Sequence, residues 1–167
     1  METAITIHPE RFRRVLGHFP TGVVIVSAMV GGLPAGLSVG SFTSVSLDPP
    51  LVGILPSKSS TSWPKISTAP SFCISILAAG QEELCRQFAI SGGDKFAGVG
   101  WHPAPSGAPI LDGALGWIDC DLERSVEAGD HYIVLGRVRA LDIEIAEIPA
   151  PLIFFRGGYG TFDGSLD

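Results

Sequence analysis

GLSVGSFTSVSLDPPLV, from Gly36 to Val52, sets a ladder of small and hydroxylated residues (Ser38, Gly40, Ser41, Thr43, Ser44, Ser46) beside apolar neighbours, then closes on Asp48-Pro49-Pro50. Read as strand, it pairs back on GVVIVSA (Gly22 to Ala28) through the turn signal Gly31-Gly32-Leu33-Pro34, because β-branched residues suit a pleated surface and paired glycines suit a tight turn. The two runs make a hairpin. Small side chains also let main-chain N–H groups approach a flat ligand or a phosphate. Hydroxyls add donors, and the Pro-Pro pair removes two N–H groups and stiffens the exit. On this segment alone, a ligand-binding surface and an edge strand running into a turn are equally good readings.

Further strands follow at LVGIL (Leu51 to Leu55), FCISIL (Phe72 to Leu77), ALGWIDCDLE, HYIVLGRVRALDIEI and PLIFFR. Helical spacing is confined to three places. Pro9 to Phe19 aligns Phe12, Val15, Leu16 and Phe19 opposite Arg11, Arg13 and Arg14; a short helix surrounds Trp63 to Ser67; and Gln81 to Ile90 puts Leu84, Cys85 and Phe88 on one face. Gly92 to Gly113, rich in glycine and proline, reads as a long loop with one helical turn at Lys95 to Val99. Many strands, few helices and no βαβ alternation predict a mainly β chain folded as an antiparallel barrel rather than a Rossmann sheet.

At 167 residues the chain suffices for one sizeable core, so a single domain is expected over 1–167. Apolar residues make up 46% and charged ones 17%, with a mean hydropathy of +0.35. The surplus apolar surface predicts a buried subunit interface, and hence a homodimer. No run approaches the roughly 18 apolar residues of a membrane span. METAITIHPERFRR is not a secretory signal, and Cys73, Cys85 and Cys120 are odd in number and apolar in context, which predicts a cytoplasmic protein with reduced thiols. The four histidines and three cysteines lack metal-ligand spacing, and a net charge of −6 argues against nucleic acid. A phosphate-bearing ligand needs only a local cluster of donors. There is no GxSxG elbow, no GxGxxG and no GxxxxGK[ST], so neither serine-hydrolase chemistry nor Rossmann or P-loop nucleotide binding is indicated.

Six words occur in order: FRRVLGHFPTGV, the hydroxyl ladder, KSSTSW (Lys58 to Trp63), DKFAGV (Asp94 to Val99), GDH (Gly129 to His131) and FFRGGY (Phe154 to Tyr159). Together they closely resemble the flavin reductase-like family over about Phe12 to Tyr159. These are small FMN-binding split-barrel proteins, with a Greek-key-like antiparallel barrel, that include the reductase components of two-component flavin monooxygenases.

The resemblance implies that Gly36, Leu37, Ser38, Gly40 and Ser41 lie along the isoalloxazine and ribityl chain, with main-chain N–H groups near the pyrimidine edge. It implies that Leu55, Pro56, Ser57, Lys58, Thr61 and Ser62 lie near the ribityl phosphate, and that Phe88, Ala89, Lys95 and Phe96 lie at the flavin site or its dimer partner. His131 is the candidate catalytic residue, at the mouth of the pocket, and shares the nicotinamide contacts with Arg156, Gly157, Gly158 and Tyr159. Relatives often carry Thr at position 38, Ser at 40 and Arg at 61, so here a hydroxyl is kept, a hydroxyl is lost and a phosphate clamp is weakened, with Lys58 or Lys95 to compensate. Without the family, KSSTSW reads as a helix N-cap with Trp63 in the core, Phe88 as a core residue, and His131 as a strand-start histidine bonded to a neighbour.

The function so implied is that of an NAD(P)H:flavin oxidoreductase, acting on FMN or FAD and feeding a partner monooxygenase. A flavin performs the hydride chemistry itself, which agrees with the missing protein nucleophile. The rivals are a flavin-holding electron carrier, a non-catalytic β-barrel interaction module and a pyridoxamine-phosphate-oxidase-like enzyme.

Overall fold

The computed structural model describes residues 7–144, 150–162 and 164. A first helix, α1 (Pro9–Leu16), leads into β1 (Thr21–Gly22) and β2 (Val24–Val30), and Gly31 and Gly32, both at positive φ, turn β2 into β3 (Leu33–Val39). Then come β4 (Thr43–Leu47), β5 (Pro50–Ile54), α2 (Trp63–Ile66), β6 (Ser71–Ile76), a single 3₁₀ turn and α3 (Glu82–Ala89). The rest is strand: β7 (Trp101–Pro103), β8 (Pro109–Leu111), β9 (Gly116–Ala128), β10 (His131–Ile143), β11 (Leu152–Phe155) and β12 (Gly158–Thr161).

Seven strands form one antiparallel sheet in the order β3-β2-β6-β9-β10-β5-β4. Its two edges, β3 and β4, are consecutive in the chain and separated only by residues 40–42. Six inter-strand spacings would hold the edges of a flat sheet about 29 Å apart, whereas four Cα steps reach at most about 14 Å. The sheet must therefore curl until its edges approach. Among the described residues no ladder joins β3 to β4, so the curl is a barrel left split along one side. The long β9–β10 hairpin follows the curl through irregularities at Leu135/Gly136 and Val138/Ala140, as bulges bend and twist a strand.

Both faces of β2 are buried, which is why GVVIVSA is nearly continuous in apolar residues. Val24, Val26 and Ala28 point into the barrel with Leu37, Val39, Ile54, Trp63, Phe72 and Val134. Val23 and Ile25 point the other way, into a second cluster with Cys85, Phe88, Phe96 and Leu111 around α3. α3 lies so close to β3 that a Cβ on Gly36 would stand 2.5 Å from Cε1 of Phe88.

Three expectations need correction. The stretch 92–113 is not a loop with one helical turn: residues 95–98 form turns, and β7 and β8 make a small hairpin. Its order comes from buried polar anchors. Ser27 Oγ donates to the Pro109 carbonyl, Leu111 N donates to Ser75 Oγ at 3.1 Å, and the fully buried Asp119 accepts from Ser106 N at 2.9 Å and from the Ser106 hydroxyl. The FFRGGY segment is not the end of the last strand but a hairpin, in which Arg156 and Gly157, at φ 50° and 79°, turn β11 into β12. The hydroxyl ladder is not one strand but two, on opposite edges of the sheet. α1 forms as expected, but none of its residues is buried, and Phe12, Val15 and Leu16, with Phe19 just beyond it, are all more than half exposed.

Cys73, Cys85 and Cys120 are free and buried, as their apolar contexts predict. Burial, then the charge of Asp119, pushes the Cys73 and Cys120 thiols up to about 12.

Two outcomes follow from this packing. Gly36→Ala forces a methyl group against Phe88 and is expected to lower the unfolding free energy by about 1–3 kcal/mol; an unchanged urea midpoint would mean that α3 is not seated on β3. The folded chain also holds two thiol protons that the unfolded chain releases above the ordinary thiol value of 9.0, so stability falls as pH rises between 9 and about 12. Urea melts at about pH 8 and about pH 10 are expected to show this loss, smaller in Cys120→Ala, and a flat profile would contradict it.

Candidate functional site

The segment after β5 runs antiparallel to the start of β10. Tyr132 N donates to the Pro56 carbonyl (2.9 Å), Ser57 bridges to His131, and Lys58 N donates to the Asp130 carbonyl (2.9 Å). The GDH word and the KSSTSW word, 73 positions apart at Lys58 and His131, thus share one ledge. Serine hydroxyls order the loop after Lys58. The Ser57 and Ser59 hydroxyls lie 2.8 Å apart, and the Ser60 hydroxyl accepts from the N–H groups of Ser62 (3.3 Å) and Trp63 (3.1 Å). The N-cap position of α2 is Ser62, whose side chain makes no cap bond; the Ser60 hydroxyl instead takes up the N–H groups leading into the helix, and Trp63 is buried in the core as expected. Lys58, Ser59 and Thr61 remain exposed, whereas Ser62 and Pro56 are buried.

Lys58 is already engaged. Its Nζ lies 2.9 Å from Glu127 Oε2 and 5.6 Å from the Tyr132 ring centroid. The hydrogen bond from Lys58, then its charge, holds the Glu127 carboxyl below the usual carboxylate range. His131 Nδ1 sits 2.8 Å from Asp130 Oδ1, and this contact, reinforced by charge, holds the Asp130 carboxyl low. A carboxylate can only accept, so Nδ1 carries a proton in this geometry and the ring orientation is fixed.

A second string of contacts starts on β3. The Ser38 hydroxyl lies 3.2 Å from Cys85 Sγ, the Cys85 thiol donates to the Tyr159 hydroxyl (3.3 Å), and the Arg86 guanidinium stacks 4.8 Å from the Tyr159 ring centroid. Burial, then the Cys85 hydrogen bond, pushes the Tyr159 phenol up to about 12. Ser41, in the link between β3 and β4, ties this string to the ledge: its hydroxyl accepts from Leu55 N (2.9 Å) and donates to Leu55 O (3.3 Å), just beyond the β4–β5 pairing that ends at Thr43 and Gly53. Gly36, Ser38, Gly40 and Ser41, along the β3 edge and its link, therefore run on through Leu55 to Ser57, Lys58 and His131 on the ledge as one arc. Leu37 shares the strand but turns its side chain into the barrel core.

Other expected residues are spent elsewhere. The ring of Phe88 is fully buried and packs edge-on to Phe96 at 5.0 Å, so neither ring has a face open for stacking. Lys95 Nζ donates to the Phe88 carbonyl (2.8 Å), capping the C-terminal end of α3, and burial, then the charge of Lys65, lowers its pKa; of the two lysines considered for the phosphate, only Lys58 lies on the ledge. Ala89 is exposed at the end of α3. Arg156 lies beside α1, its N–H donating to the Gly17 carbonyl (2.9 Å), and Gly157 and Gly158 are exposed in the same hairpin. Among the described residues no hydrogen bond, ion pair or ring contact joins Arg156, Gly157 or Gly158 to His131.

Glu127, Tyr132 and Cys85 carry contacts that sequence reasoning did not assign to the site. Reading EAGDHY as a tight hairpin would have set Glu127 opposite Tyr132, their observed register. Two concavities lie apart from the arc: a cleft of about 530 Å³ between α3 and residues 98–100, and one of about 650 Å³ along α1. His131 and Lys58 line neither.

Residues 16–163 match the family described as the Flavin reductase like domain. A flavin reductase of Pseudomonas putida is 52% identical over 157 residues, covering 93% of this chain and 91% of that protein. The flavin-dependent monooxygenase reductase subunit HsaB of Rhodococcus jostii is 46% identical over 156 residues, covering 93% and 79%. Among solved structures, the Streptomyces globisporus NADH:FAD oxidoreductase in complex with NAD and FAD fragments aligns with a TM-score of 0.87 at 38% identity, covering 98% of this chain and 100% of that one. The split barrel, the arc of donors along its gap and these likenesses lead to one assignment: the chain belongs to the flavin reductase-like family.

Proposed function

We infer that this chain is an NAD(P)H-dependent flavin oxidoreductase that reduces FMN or FAD and supplies the reduced flavin to a partner monooxygenase. The observation that carries this reading is the meeting of Lys58, the serine hydroxyls and His131 on one ledge beside the split in the barrel. The printed functions of the relatives, as flavin reductase, monooxygenase reductase subunit and NADH:FAD oxidoreductase, support it.

The donor set fits a flavin nucleotide. An ammonium and hydroxyls suit phosphate oxygens, and the unpaired outer edge of β3 offers main-chain donors and acceptors to the polar rim of a planar ring. When bound, a flavin accepts hydride from reduced nicotinamide, so the protein need supply only binding, orientation and exclusion of water. Lys58, Ser57 and Ser59 hold the phosphate, with Pro56, Thr61 and Ser62 shaping the loop. The main chain of Gly36, Leu37, Ser38, Gly40 and Ser41, braced on Leu55, sets the ring plane. His131, its ring fixed by Asp130, positions the nicotinamide, and Tyr159 is held toward the same strand through Cys85.

The functional unit is a homodimer of single-domain chains. α1 and Phe19 expose an apolar face that the other described residues do not cover, and a second copy of the chain is the partner that buries it. Three unpaired thiols fit the reducing cytoplasm, and no helix among the described residues is long and apolar enough to cross a membrane.

Three outcomes are expected. NADH or NADPH oxidation rises with added free FMN or FAD; one stoichiometric reduction without turnover would make the chain an electron carrier instead. His131→Ala slows nicotinamide-driven flavin reduction roughly 10- to 100-fold while flavin affinity stays within a few-fold, as read by stopped-flow absorbance with melting curves alongside; an unchanged rate removes His131 from the site. Sedimentation at micromolar concentration yields a dimer, and a stable monomer with normal flavin binding refutes the dimeric unit.

A further inference from the structure

Lys58 presents the ledge's ammonium group, and the structure shows it already holding an anion. Its main chain is pinned to the sheet by the bond to Asp130 and by the bridge beside it, so the residue cannot drift from the β9–β10 hairpin. Only the side chain is free to swing, and it lies along the Tyr132 ring with Nζ at 2.9 Å from Glu127 Oε2. Glu127 makes no other side-chain contact among the hydrogen bonds and ion pairs of the described residues, and its side chain is 74% exposed. Asp130 adds a second carboxylate at the same hairpin, itself bonded to His131. Asp130 is engaged by His131 and by the charge of Arg13, which leaves Glu127 as the carboxylate that contends directly for Lys58.

We propose that Glu127 competes with the flavin phosphate for Lys58: its carboxylate holds the ammonium when no nucleotide is bound, and the phosphate binds only by displacing it. This rests on the reading of Lys58 as the phosphate contact. The consequence is a site that grips the phosphate weakly, as suits a flavin that enters oxidised and leaves reduced to a second protein. Electrostatic theory limits the size of the effect: ion pairs between exposed side chains are weak and screened by salt, so removing the competitor tightens binding by about three- to tenfold rather than by orders of magnitude.

The test measures dissociation constants for FMN and for riboflavin, which lacks the phosphate, by quenching of flavin fluorescence in wild type, Glu127→Gln, Lys58→Ala and the double variant. Glu127→Gln is expected to tighten FMN binding about three- to tenfold, to leave riboflavin unchanged, and to lose its effect in the Lys58→Ala background. Tightening that persists without Lys58 means that Glu127 merely repels the phosphate, and overturns the competition. Weakened FMN binding in Lys58→Ala with no change in Glu127→Gln overturns the proposal while leaving the phosphate reading intact. Equal effects of Lys58→Ala on FMN and riboflavin overturn both. Glu127 is exposed and paired only with Lys58, so its replacement by Gln removes a charge without disturbing the core.

Discussion

The link of residues 40–42 between β3 and β4 is the constraint on which the rest of the structure depends. It joins the two edges of a seven-stranded sheet across a distance that a flat sheet cannot meet, so curvature is imposed by connectivity before any side chain is considered. The ladder does not close across the join, and the small residues Gly40 and Ser41 sit at the gap. Ser41 anchors the link on the β4–β5 side, through its side-chain hydrogen bonds to Leu55.

An open strand edge is ordinarily a liability, because unpaired N–H and C=O groups recruit other strands. Here the edge of β3 is supported from behind by α3, packed against Gly36, and from inside by Leu37 and Val39. The backbone is thus held rigidly while its outer edge stays free. Residues with reactive or charged groups are treated in the same way. His131 is bonded to Asp130, Tyr159 to Cys85 and Lys58 to Glu127, each fixed by a partner before a ligand arrives. Such pre-organisation gives orientation, and in the case of Lys58 it costs affinity.

Much of this was legible in the sequence. The apolar, β-branched runs, the helical spacing at Gln81 to Ile90 and the glycines at 31 and 32 all mark elements that the structure contains, although β9 runs on to Ala128, well past the Glu123 that ends ALGWIDCDLE. The break in the hydroxyl ladder was not legible, because small and hydroxylated residues continue through it without a change of pattern and only the sheet's curvature separates β3 from β4. The β7–β8 hairpin was hidden by the density of glycine and proline around two strands of three residues, whose stability lies in distant anchors at Ser27, Ser75 and Asp119. At the site, residue types mark donors at Ser57 to Ser59 and a ring at His131, but pairing across the fold decides what each is free to do. Lys95 looks like Lys58 in the sequence, yet one caps α3 and the other lies on the ledge. The apolar stripe of α1 was legible as a stripe, while its lack of a partner among the described residues is a property of the fold.

The central claim is that the split between β3 and β4, with the ledge at its end, is where flavin binds. Amide hydrogen exchange, followed with and without FMN at saturating concentration, tests it most directly. The account predicts slowed exchange in residues 36–46, which hold the two edges at the split, and in 55–60 and 129–132, which form the ledge. Slowing confined to the cleft between α3 and residues 98–100, or to α1, with these three segments unchanged while FMN is bound, would contradict it.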